Sequence, residues 1–418
     1  MTDLSTAAWF QAPALQRVLA LLNADGGEGR IVGGAVRNSL MGLPVSDIDL
    51  ATTLLPEMVM ERAAAENIKA VPTGIAHGTV TLVIDGTPFE ITTLRRDVST
   101  DGRHAEVAFG RDWQVDAERR DLTINALYVD ASGTVTDLVC GLADIETRTV
   151  RFIGTASERI AEDYLRILRF FRFFAHYGSG RPDADGLRAS AAARTHLASL
   201  SAERVWSEMK KLLEAPDPGR ALLWMRQAGV LTEIISESEK WGIDAIPALI
   251  ATEKALHWPA DPLLRLAAIV PPDAERLVGL SARLRLSNAE AAQLKAWVTA
   301  PIISDEMSDI AFDRLLYHEG VDGILFRLKL ALASVRTQAE GDMAAMKRAG
   351  RLSTHLARAV AWQKPVFPLS GADVLVAGVA AGPRVGALLT TLEDLWISRN
   401  FALDRAALLA RLDEIKEQ

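Results

Sequence analysis

Two aspartates near the amino terminus have the spacing of a metal-binding pair. Asp47 and Asp49 are separated by one residue, so in a strand both carboxylates lie on the same face. Neighbouring acids repel each other unless a cation lies between them, and Mg²⁺ prefers hard oxygen ligands completed by water and substrate phosphates. The pair predicts a magnesium site, although an isolated acidic pair is also typical of an exposed strand face.

A glycine-rich turn precedes these acids by a short distance. A strand ending in Ile31-Val32 runs into Gly33-Gly34, and Arg37 follows on a short predicted helix. Without Cβ atoms at the turn, backbone N–H groups at the start of the helix can approach a triphosphate. Such a turn alone indicates only a tight connection. Together with the acidic pair it predicts two-metal phosphoryl transfer, which needs no nucleophilic side chain.

Glu90 is a candidate third catalytic carboxylate. It lies between Phe89 and Ile91 in a segment that predicts a strand beside the one carrying the aspartates. The flanking Phe89 and Ile91 would be buried on one face of the strand. Glu90 would then lie on the opposite face, together with the two aspartates. The alternative is a solvent-facing strand residue.

The elements that must position these residues change in type near residue 150. Before it, five segments predict strands: RIVGG, DIDLATT, GTVTLVIDGTPFEITTLR, LTINALYVD and TVRFIG. Asp85-Gly86 suits the positive φ angles of a two-residue hairpin turn. After about residue 155, apolar residues recur every three or four positions, which predicts helices, with interruptions near residues 235–260 and at KPVFPLSG.

Composition excludes several classes of protein. The 418 residues carry a net charge of -8 and a single cysteine, Cys140, so an internal disulfide is impossible and no Cys/His spacing indicates zinc. The acidic balance argues against general coating of nucleic acid but leaves room for a local basic groove. The sequence has neither a membrane-spanning apolar run nor a signal peptide at its start, so we expect a cytoplasmic protein.

Three segments resemble the class II CCA-adding tRNA nucleotidyltransferases and bacterial poly(A) polymerases. They are GGAVRNSLMGLPVSDIDLAT, ERRDLTINALYVD and AEDYLRILRFFRF, with weaker similarity in SAERVWSEMKKLL and PLSGADVL. The resemblance is strong over residues 28–178. It implies an α+β protein: a nucleotidyltransferase head with a small mixed β-sheet (1–150), followed by an all-α neck (151–240), body (241–365) and tail (366–418).

The resemblance also implies roles for individual residues. Gly34 and Arg37 would bind the triphosphate, Asp47 and Asp49 the Mg²⁺ ions, and Arg120 the incoming nucleotide. Residues 95–110 correspond to the flexible loop of the family, and we assign no catalytic role to His104 within it. Two positions depart from the family pattern: Asn38 replaces an aspartate and Leu138 replaces a proline. An amide at position 38 can still both accept and donate a hydrogen bond.

Asp163 and Arg166 are the candidates for choosing the base. Three positions apart on a predicted helix, they would be neighbours on its surface. Cytosine and adenine present an amino donor beside a ring-nitrogen acceptor, which suits a carboxylate next to a guanidinium, and the resemblance implies this templating role. Arg169 and Arg172 resemble the nucleotide-contacting arginines of the family, but Arg172, half a turn away, would reach phosphate or RNA rather than the base.

Three functions remain open at this point. The resemblance implies addition of CCA to tRNA from CTP and ATP, with Lys210, Lys211 and Arg384 as candidate RNA phosphate contacts. A poly(A) polymerase, or an enzyme adding only CC or only A, would use the same chemistry. A catalytically dead RNA-binding module is the third reading, and the intact Asp47 and Asp49 argue against it.

Overall fold

The computed structural model describes residues 2–100, 105–238, 242–338 and 341–417, with the side chains of 97–100 and 105–107 excepted. The chain forms two compact units, Met1–Glu239 and Lys240–Gln418. The four domains expected from the sequence stay a prediction. No described helix combines the length and the apolarity needed to cross a membrane.

Nine strands lie in the described part of the first unit. They are β1 Gly29–Val32, β2 Asp49–Thr52, β3 Lys69–Gly74, β4 Thr79–Ile84, β5 Thr87–Thr93, β6 Arg95–Thr100, β7 Ala105–Phe109, β8 Leu127–Val129 and β9 Val135–Asp137. Seven of them form one sheet in the order β3-β4-β5-β2-β1-β8-β9, and β6 and β7 pair as a separate ribbon. The sheet is mixed because β2 and β5 are parallel while the other described pairs are antiparallel. The predicted α+β class and small mixed sheet are confirmed.

Helices surround this sheet and extend the first unit. They are α1 Pro13–Asn23, α2 Gly34–Leu40, α3 Pro56–Ala65, α4 Trp113–Glu118, α5 Gly141–Thr147, α6 Ala156–Glu162, α7 Leu165–Tyr177, α8 Ala184–Ala193, α9 Ala202–Leu213, α10 Gly219–Gln227 and α11 Val230–Ile234. The described part of the second unit is helical. Its helices are α12 Ala245–Leu256, α13 Pro262–Ile269, α14 Ala274–Arg283, α15 Asn288–Thr299, α16 Asp309–Glu319, α17 Asp322–Gln338, α18 Met343–Val360, α19 Gly371–Val376, α20 Pro383–Ser398 and α21 Arg405–Ile415.

The β4–β5 hairpin forms where the sequence predicts it. Ile84 pairs with Thr87, and the two residues between them, Asp85 and Gly86, have φ angles of 50° and 79°. Positive φ at both positions matches the right-handed twist of the flanking strands. The alternating burial of β4 then places its apolar residues on one face of the sheet.

One predicted strand is wrong, and other strands are missed. TVRFIG contributes only a single bridge between Phe152 and Leu122, because the chain leaves the sheet there and enters α6. β3 and β9 were not predicted, since KAVPTG contains a proline and only one large apolar residue, and Val135–Asp137 is three residues long. Short segments of this kind carry little periodicity.

Helix α7 separates an apolar face from a basic one. Its buried residues include Leu168, Phe170, Phe171, Phe173 and Phe174. These phenylalanines therefore belong to the core rather than to a base-stacking surface. The arginines of α7 recur every third position between these residues and stay partly accessible, so the helix presents a row of guanidinium groups.

Candidate active site

The acidic residues of the head lie on adjacent strands. β2 begins at Asp49, which pairs in parallel register with Glu90 of β5, so both side chains lie on the same face. Asp47 precedes β2 rather than forming part of it, contrary to the predicted strand DIDLATT. The neighbouring Leu50 and Ile91 are buried.

The electrostatics of these acids fit a cation-binding role. Desolvation raises the pKa of the Asp49 carboxyl, and the negative charges of Glu90 and Asp47 raise it further. A divalent ion between the carboxylates would relieve this repulsion, and carboxylate oxygens are suitable ligands. Within the described residues, no three acids, histidines or cysteines are arranged as a complete metal site. The two aspartates fit an ion whose other ligands are water and phosphate.

Arg37 lies in the first turn of α2, just after the Gly33 turn that connects β1 to this helix. Gly33 precedes the helix with a φ of 76°, a conformation that glycine adopts without strain. The Arg37 side chain is 6% exposed. It donates to Asn125 Oδ1 at 2.5 Å and to Tyr177 Oη at 2.8 Å. The Tyr177 ring lies 4.0 Å from the guanidinium carbon.

Asn38 completes the surroundings of Arg37. Its Oδ1 accepts from Arg37 Nε at 3.2 Å and Nη2 at 2.9 Å, and its Nδ2 donates to the Pro44 carbonyl at 2.9 Å. The amide thus both accepts and donates, as expected for an asparagine in place of aspartate. Within the described chain, every oxygen that hydrogen-bonds to Arg37 is therefore neutral.

Arg120 is anchored by a buried aspartate that the sequence analysis did not single out. Asp116, 1% exposed, accepts from Arg120 Nη2 at 3.2 Å, Arg119 Nη2 at 2.6 Å and Tyr128 Oη at 2.8 Å. Burial raises the pKa of the Asp116 carboxyl, but the charges of both arginines and the Tyr128 hydrogen bond outweigh burial and leave the pKa below its usual value. The carboxylate fixes both arginines of the ERRD segment.

A chain of polar contacts joins Arg37 to Arg169. Asn125 accepts from Arg37 and donates through Nδ2 to Asp121 Oδ1 at 3.3 Å. Asp121 Oδ2 in turn accepts from Arg169 Nε at 2.6 Å. Burial raises the pKa of Asp121, yet the Arg169 charge and hydrogen bonds lower it overall. The network links the turn after β1 to helix α7.

Asp163 and Arg166 do not form the helical pair that the sequence predicts. Asp163 lies in an extended conformation between α6 and α7, where its Oδ1 accepts from Leu165 N at 3.1 Å. Its Oδ2 accepts from Arg204 Nη2 at 2.6 Å. Arg166 instead pairs with Glu162. The helix breaks at Asp163, so the i,i+3 geometry assumed for an unbroken helix does not apply.

Arg172 is bound by a glutamate of α9, and its expected contact with phosphate or RNA stays a prediction. Its Nε donates to Glu208 Oε2 of α9 at 2.6 Å, and its guanidinium carbon lies 4.3 Å from the Phe173 ring centroid. Glu208 is buried. The ion pair between Arg172 and Glu208 therefore connects α7 to α9.

A cavity of about 530 Å³ brings most of the predicted residues together. The predicted residues that line it are Gly34, Arg37, Asp49, Arg120, Asp163, Arg166 and Arg169. Asp47, Glu90 and Arg172 are not among the lining residues. Seven arginines and three aspartates line the cavity, so its wall is strongly basic although the whole chain is acidic. This is the local basic groove that the composition left open.

Several lining residues and their partners were missed. Arg95, Arg119, Asp121, Asn125 and Arg204 line the cavity without having been predicted. Asp121 and Asn125 are four residues apart in the segment ERRDLTIN. This spacing could have indicated that their side chains lie on the same face of a helical turn. The partners Glu162, Glu208 and Tyr177 had no signal in the sequence beyond their helical positions.

The predicted flexible loop is partly described. Arg95–Thr100 and Ala105–Phe109 pair as an antiparallel ribbon, and His104 lies outside the described residues. Arg95 donates to the His77 carbonyl and lines the cavity. The RNA contacts expected of Lys210, Lys211 and Arg384 stay predictions.

Comparison with known proteins identifies similar chains. A family model described as the poly A polymerase head domain matches residues 29–151, and a second, described as the probable RNA and SrmB-binding site of polymerase A, matches residues 183–241. The mitochondrial CCA tRNA nucleotidyltransferase 1 of Mus musculus is 33% identical over 95% of this chain and 89% of its own length. The CCA-adding enzyme of Streptococcus pneumoniae is 31% identical over 96% of both chains.

A solved structure is similar over nearly the whole length of the chain. The CCA-adding enzyme of Bacillus stearothermophilus, crystallised in complex with CTP, superposes with a TM-score of 0.76 at 27% identity over 97% of both chains. The similarity therefore extends through the head and the helical remainder. The similarity in sequence and fold shows that the chain belongs to the family of CCA-adding tRNA nucleotidyltransferases, which share their head domain with poly(A) polymerases.

Proposed function

We propose that this chain adds CCA to tRNA 3′ ends, using CTP and ATP and releasing pyrophosphate. The observation that carries the proposal is the single cavity lined by Asp49, by arginines of the head and by Asp163 and Arg166 of the neck. A nucleoside triphosphate carries about four negative charges at neutral pH, and a basic, partly desolvated wall attracts them strongly. The full-length similarity to CCA-adding enzymes supports the same acceptor.

Nucleotidyltransferases of this family generally use divalent metal ions, and we propose Mg²⁺ for this chain. Asp47 and Asp49 would hold it, with Glu90 beside them as the third acid whose charge is felt at Asp49. When bound, the metal supplies activation of the attacking hydroxyl and charge neutralisation on the triphosphate.

The arginines of the head would position the triphosphate. Among the described residues, the hydrogen-bond partners of the positively charged Arg37 include no carboxylate, so phosphate oxygens would provide its first direct counter-charge. Arg120 is held on Asp116, which fixes its direction toward the cavity. Their part in the reaction is to orient the reacting phosphorus and to stabilise charge that develops on it.

Asp163 and Arg166 would recognise the base. A carboxylate accepts from the exocyclic amino group of cytosine or adenine, and a guanidinium donates to the ring nitrogen next to it. Uracil and guanine present a carbonyl and an N–H at these positions, so they would leave buried polar groups unpaired. In this structure the two side chains are held by different partners, Arg204 and Glu162, rather than by each other.

Cellular location is a separate proposal. The expected cytoplasmic location stays a prediction, and a relative with a mitochondrial name exists.

Nucleotide incorporation tests the function. The purified chain is incubated with Mg²⁺ and labelled CTP, ATP, GTP or UTP, on tRNA lacking its last three nucleotides and on an unstructured RNA. We expect ordered C, C, A addition confined to tRNA. Long A tracts on both RNAs would indicate a poly(A) polymerase, and only C or only A addition a partial enzyme.

The Asp49→Asn variant is the matched control for these assays. It removes one metal-ligand charge, so we expect the rate of incorporation to fall at least about a thousandfold. Its fold should be retained, because the substitution relieves repulsion from Glu90 and Asp47. Absence of incorporation by the unmodified chain on every substrate would favour the RNA-binding module.

A further inference from the structure

Both carboxylate oxygens of Asp163 are engaged by groups that start two different helices. Leu165 N, at the beginning of α7, donates to Oδ1 at 3.1 Å. Arg204 Nη2, in the first turn of α9, donates to Oδ2 at 2.6 Å. The aspartate is therefore fixed in the gap between α6 and α7 by a backbone group and by a distant side chain.

Arg204 occupies a position that is electrostatically unfavourable for a cation. The first turn of a helix lies at the positive end of its dipole, where acids are preferred. Glu203, its neighbour in the same turn, follows that preference. The negative charge of Asp163 offsets the cost at Arg204, and both side chains are mostly shielded, with 29% and 22% of their surfaces exposed. The ion pair is thus more than a surface contact.

Arg204 also lines the nucleotide cavity beside Asp163. An ionised carboxylate offers about four lone-pair sites, of which Leu165 N and Arg204 use two. Asp163 therefore retains acceptor capacity for a base while its orientation is fixed. Arg166 is held separately, by Glu162 and by the Arg159 carbonyl at 2.9 Å, so a change at Arg204 leaves these contacts of Arg166 in place.

We propose that Arg204 is a specificity-determining residue of nucleotide addition. It acts through Asp163: the ion pair fixes the acceptor so that an amino group of the base is accepted and a carbonyl at the same place is rejected. This inference rests on the proposed function and adds to it a positioning residue on α9. A freely rotating Asp163 would still offer charge to the site but would discriminate less between bases.

The test is discrimination, measured with the full-length chain. Single-turnover kcat/KM is determined for CTP and UTP on tRNA lacking the last three nucleotides, and for ATP and GTP on tRNA ending in CC. In Arg204→Met we expect the CTP/UTP and ATP/GTP preferences to fall about tenfold, the scale of one charge-assisted hydrogen bond. Arg204→Lys should recover part of the preference, because a point charge still attracts Asp163.

The matched control is Arg188→Met. Arg188 pairs with Asp185 on the same unit, and both side chains are about three-quarters exposed (77% and 75%). This variant should leave both preferences unchanged. Equal slowing of all four nucleotides in Arg204→Met, with the preferences intact, would show a merely structural role and overturn the inference. Should Arg204→Met fail to fold by circular dichroism, Arg204→Gln replaces it, with the same supporting and contradicting results.

Failure of the proposed function is recognised earlier in the same experiment. An unmodified chain that does not add C or A to tRNA contradicts that function before any variant is compared. An unmodified chain that adds C and A, with preferences insensitive to Arg204, contradicts only the role of Arg204.

Discussion

Arg37 in the first unit and Arg265 in the second are buried to similar extents, with 6% and 2% of their surfaces exposed, but their charges are balanced differently. Arg265 Nε and Nη2 donate to the Glu253 carboxylate, at 3.2 and 2.6 Å. Glu253 is itself 3% exposed. Arg265 therefore has a counter-charge built into the fold.

Arg37 donates only to neutral oxygens of Asn38, Asn125 and Tyr177 among the described residues. Burial lowers the pKa of its guanidinium, although arginine keeps its charge at any physiological pH. A buried cation surrounded by neutral acceptors gains strongly from an anion that enters from outside. The comparison separates an arginine that stabilises a fold from one that we expect to bind a substrate.

The largest expected effect is on stability, in Arg265→Met. The substitution leaves the buried Glu253 carboxylate without its guanidinium partner, which should lower the free energy of unfolding by about 3–5 kcal/mol. Urea denaturation measures the loss, and nucleotide addition per folded molecule should change less than about twofold. The exposed Arg188→Met serves as control, with an expected change under about 1 kcal/mol. Equal stability of Arg265→Met and Arg188→Met would contradict the stabilising role assigned to Arg265.

Arg37→Met should show the opposite pattern. We expect kcat/KM for CTP to fall about a hundredfold, the usual cost of removing a donor to developing negative charge. The melting temperature should change little, because no carboxylate is left unpaired. The variant Arg37→Lys keeps the charge but loses the planar guanidinium, so its kcat/KM should lie between those of the unmodified chain and Arg37→Met. A large loss of stability with unchanged kcat/KM would assign Arg37 to the structural class.

Tyr177→Phe sharpens the role of the neutral partners. It removes the hydroxyl that accepts from Arg37 Nη2 but keeps the ring beside the guanidinium. We expect KM for CTP to rise about fivefold, the scale of one hydrogen bond, with kcat nearly unchanged. Steady-state kinetics measure both constants. Tyr177→Ala loses the ring as well, and an effect no larger than that of the phenylalanine variant would contradict a contribution from stacking.

The smallest expected effect is on the pH dependence of stability, and it concerns a buried histidine. His355 in the second unit is 4% exposed and packs against Phe312. Desolvation lowers the pKa of its imidazole and a nearby Arg358 lowers it further, while Asp309 and a hydrogen bond with the Met307 backbone act in the opposite direction.

A lowered folded-state pKa fixes the sign of the pH dependence. The neutral imidazole is favoured in the folded state, so its contribution to stability is complete above about pH 6.5 and is lost as the pH falls toward the folded-state pKa. Urea unfolding between about pH 8 and about pH 5 should show this loss. His355→Leu should show a flatter profile, and an unchanged profile would contradict the assignment.

The sequence predicted those features whose signal is local. The turn at Gly33, the Asp85-Gly86 hairpin and the flanking of Glu90 by Phe89 and Ile91 each depend on a few adjacent residues. In every case the residue type restricts the backbone or the face directly. The structure places the turn and the hairpin as expected. Glu90 pairs in register with Asp49, but it is solvent-exposed and does not line the cavity, so its catalytic role stays a prediction.

Features that depend on distant residues were not predictable in this way. Asp163 was expected on an unbroken helix, because nothing in the sequence shows that its carboxylate would accept from Leu165 N and pair with Arg204. Arg172 and Glu208 likewise meet only when α7 and α9 pack together. Such ion pairs depend on the relative placement of helices, which a periodic pattern does not specify.

The parallel pairing of β2 with β5 determines when the acidic residues of the head come together during folding. Asp49 and Glu90 become neighbours only through a crossover that contains α3, β3 and β4. Parallel pairs need such long connections, and non-local contacts of this kind form late in folding. A nascent chain whose crossover is still open therefore has no acid cluster. The acids proposed to hold the metal therefore come together only when β5 pairs with β2.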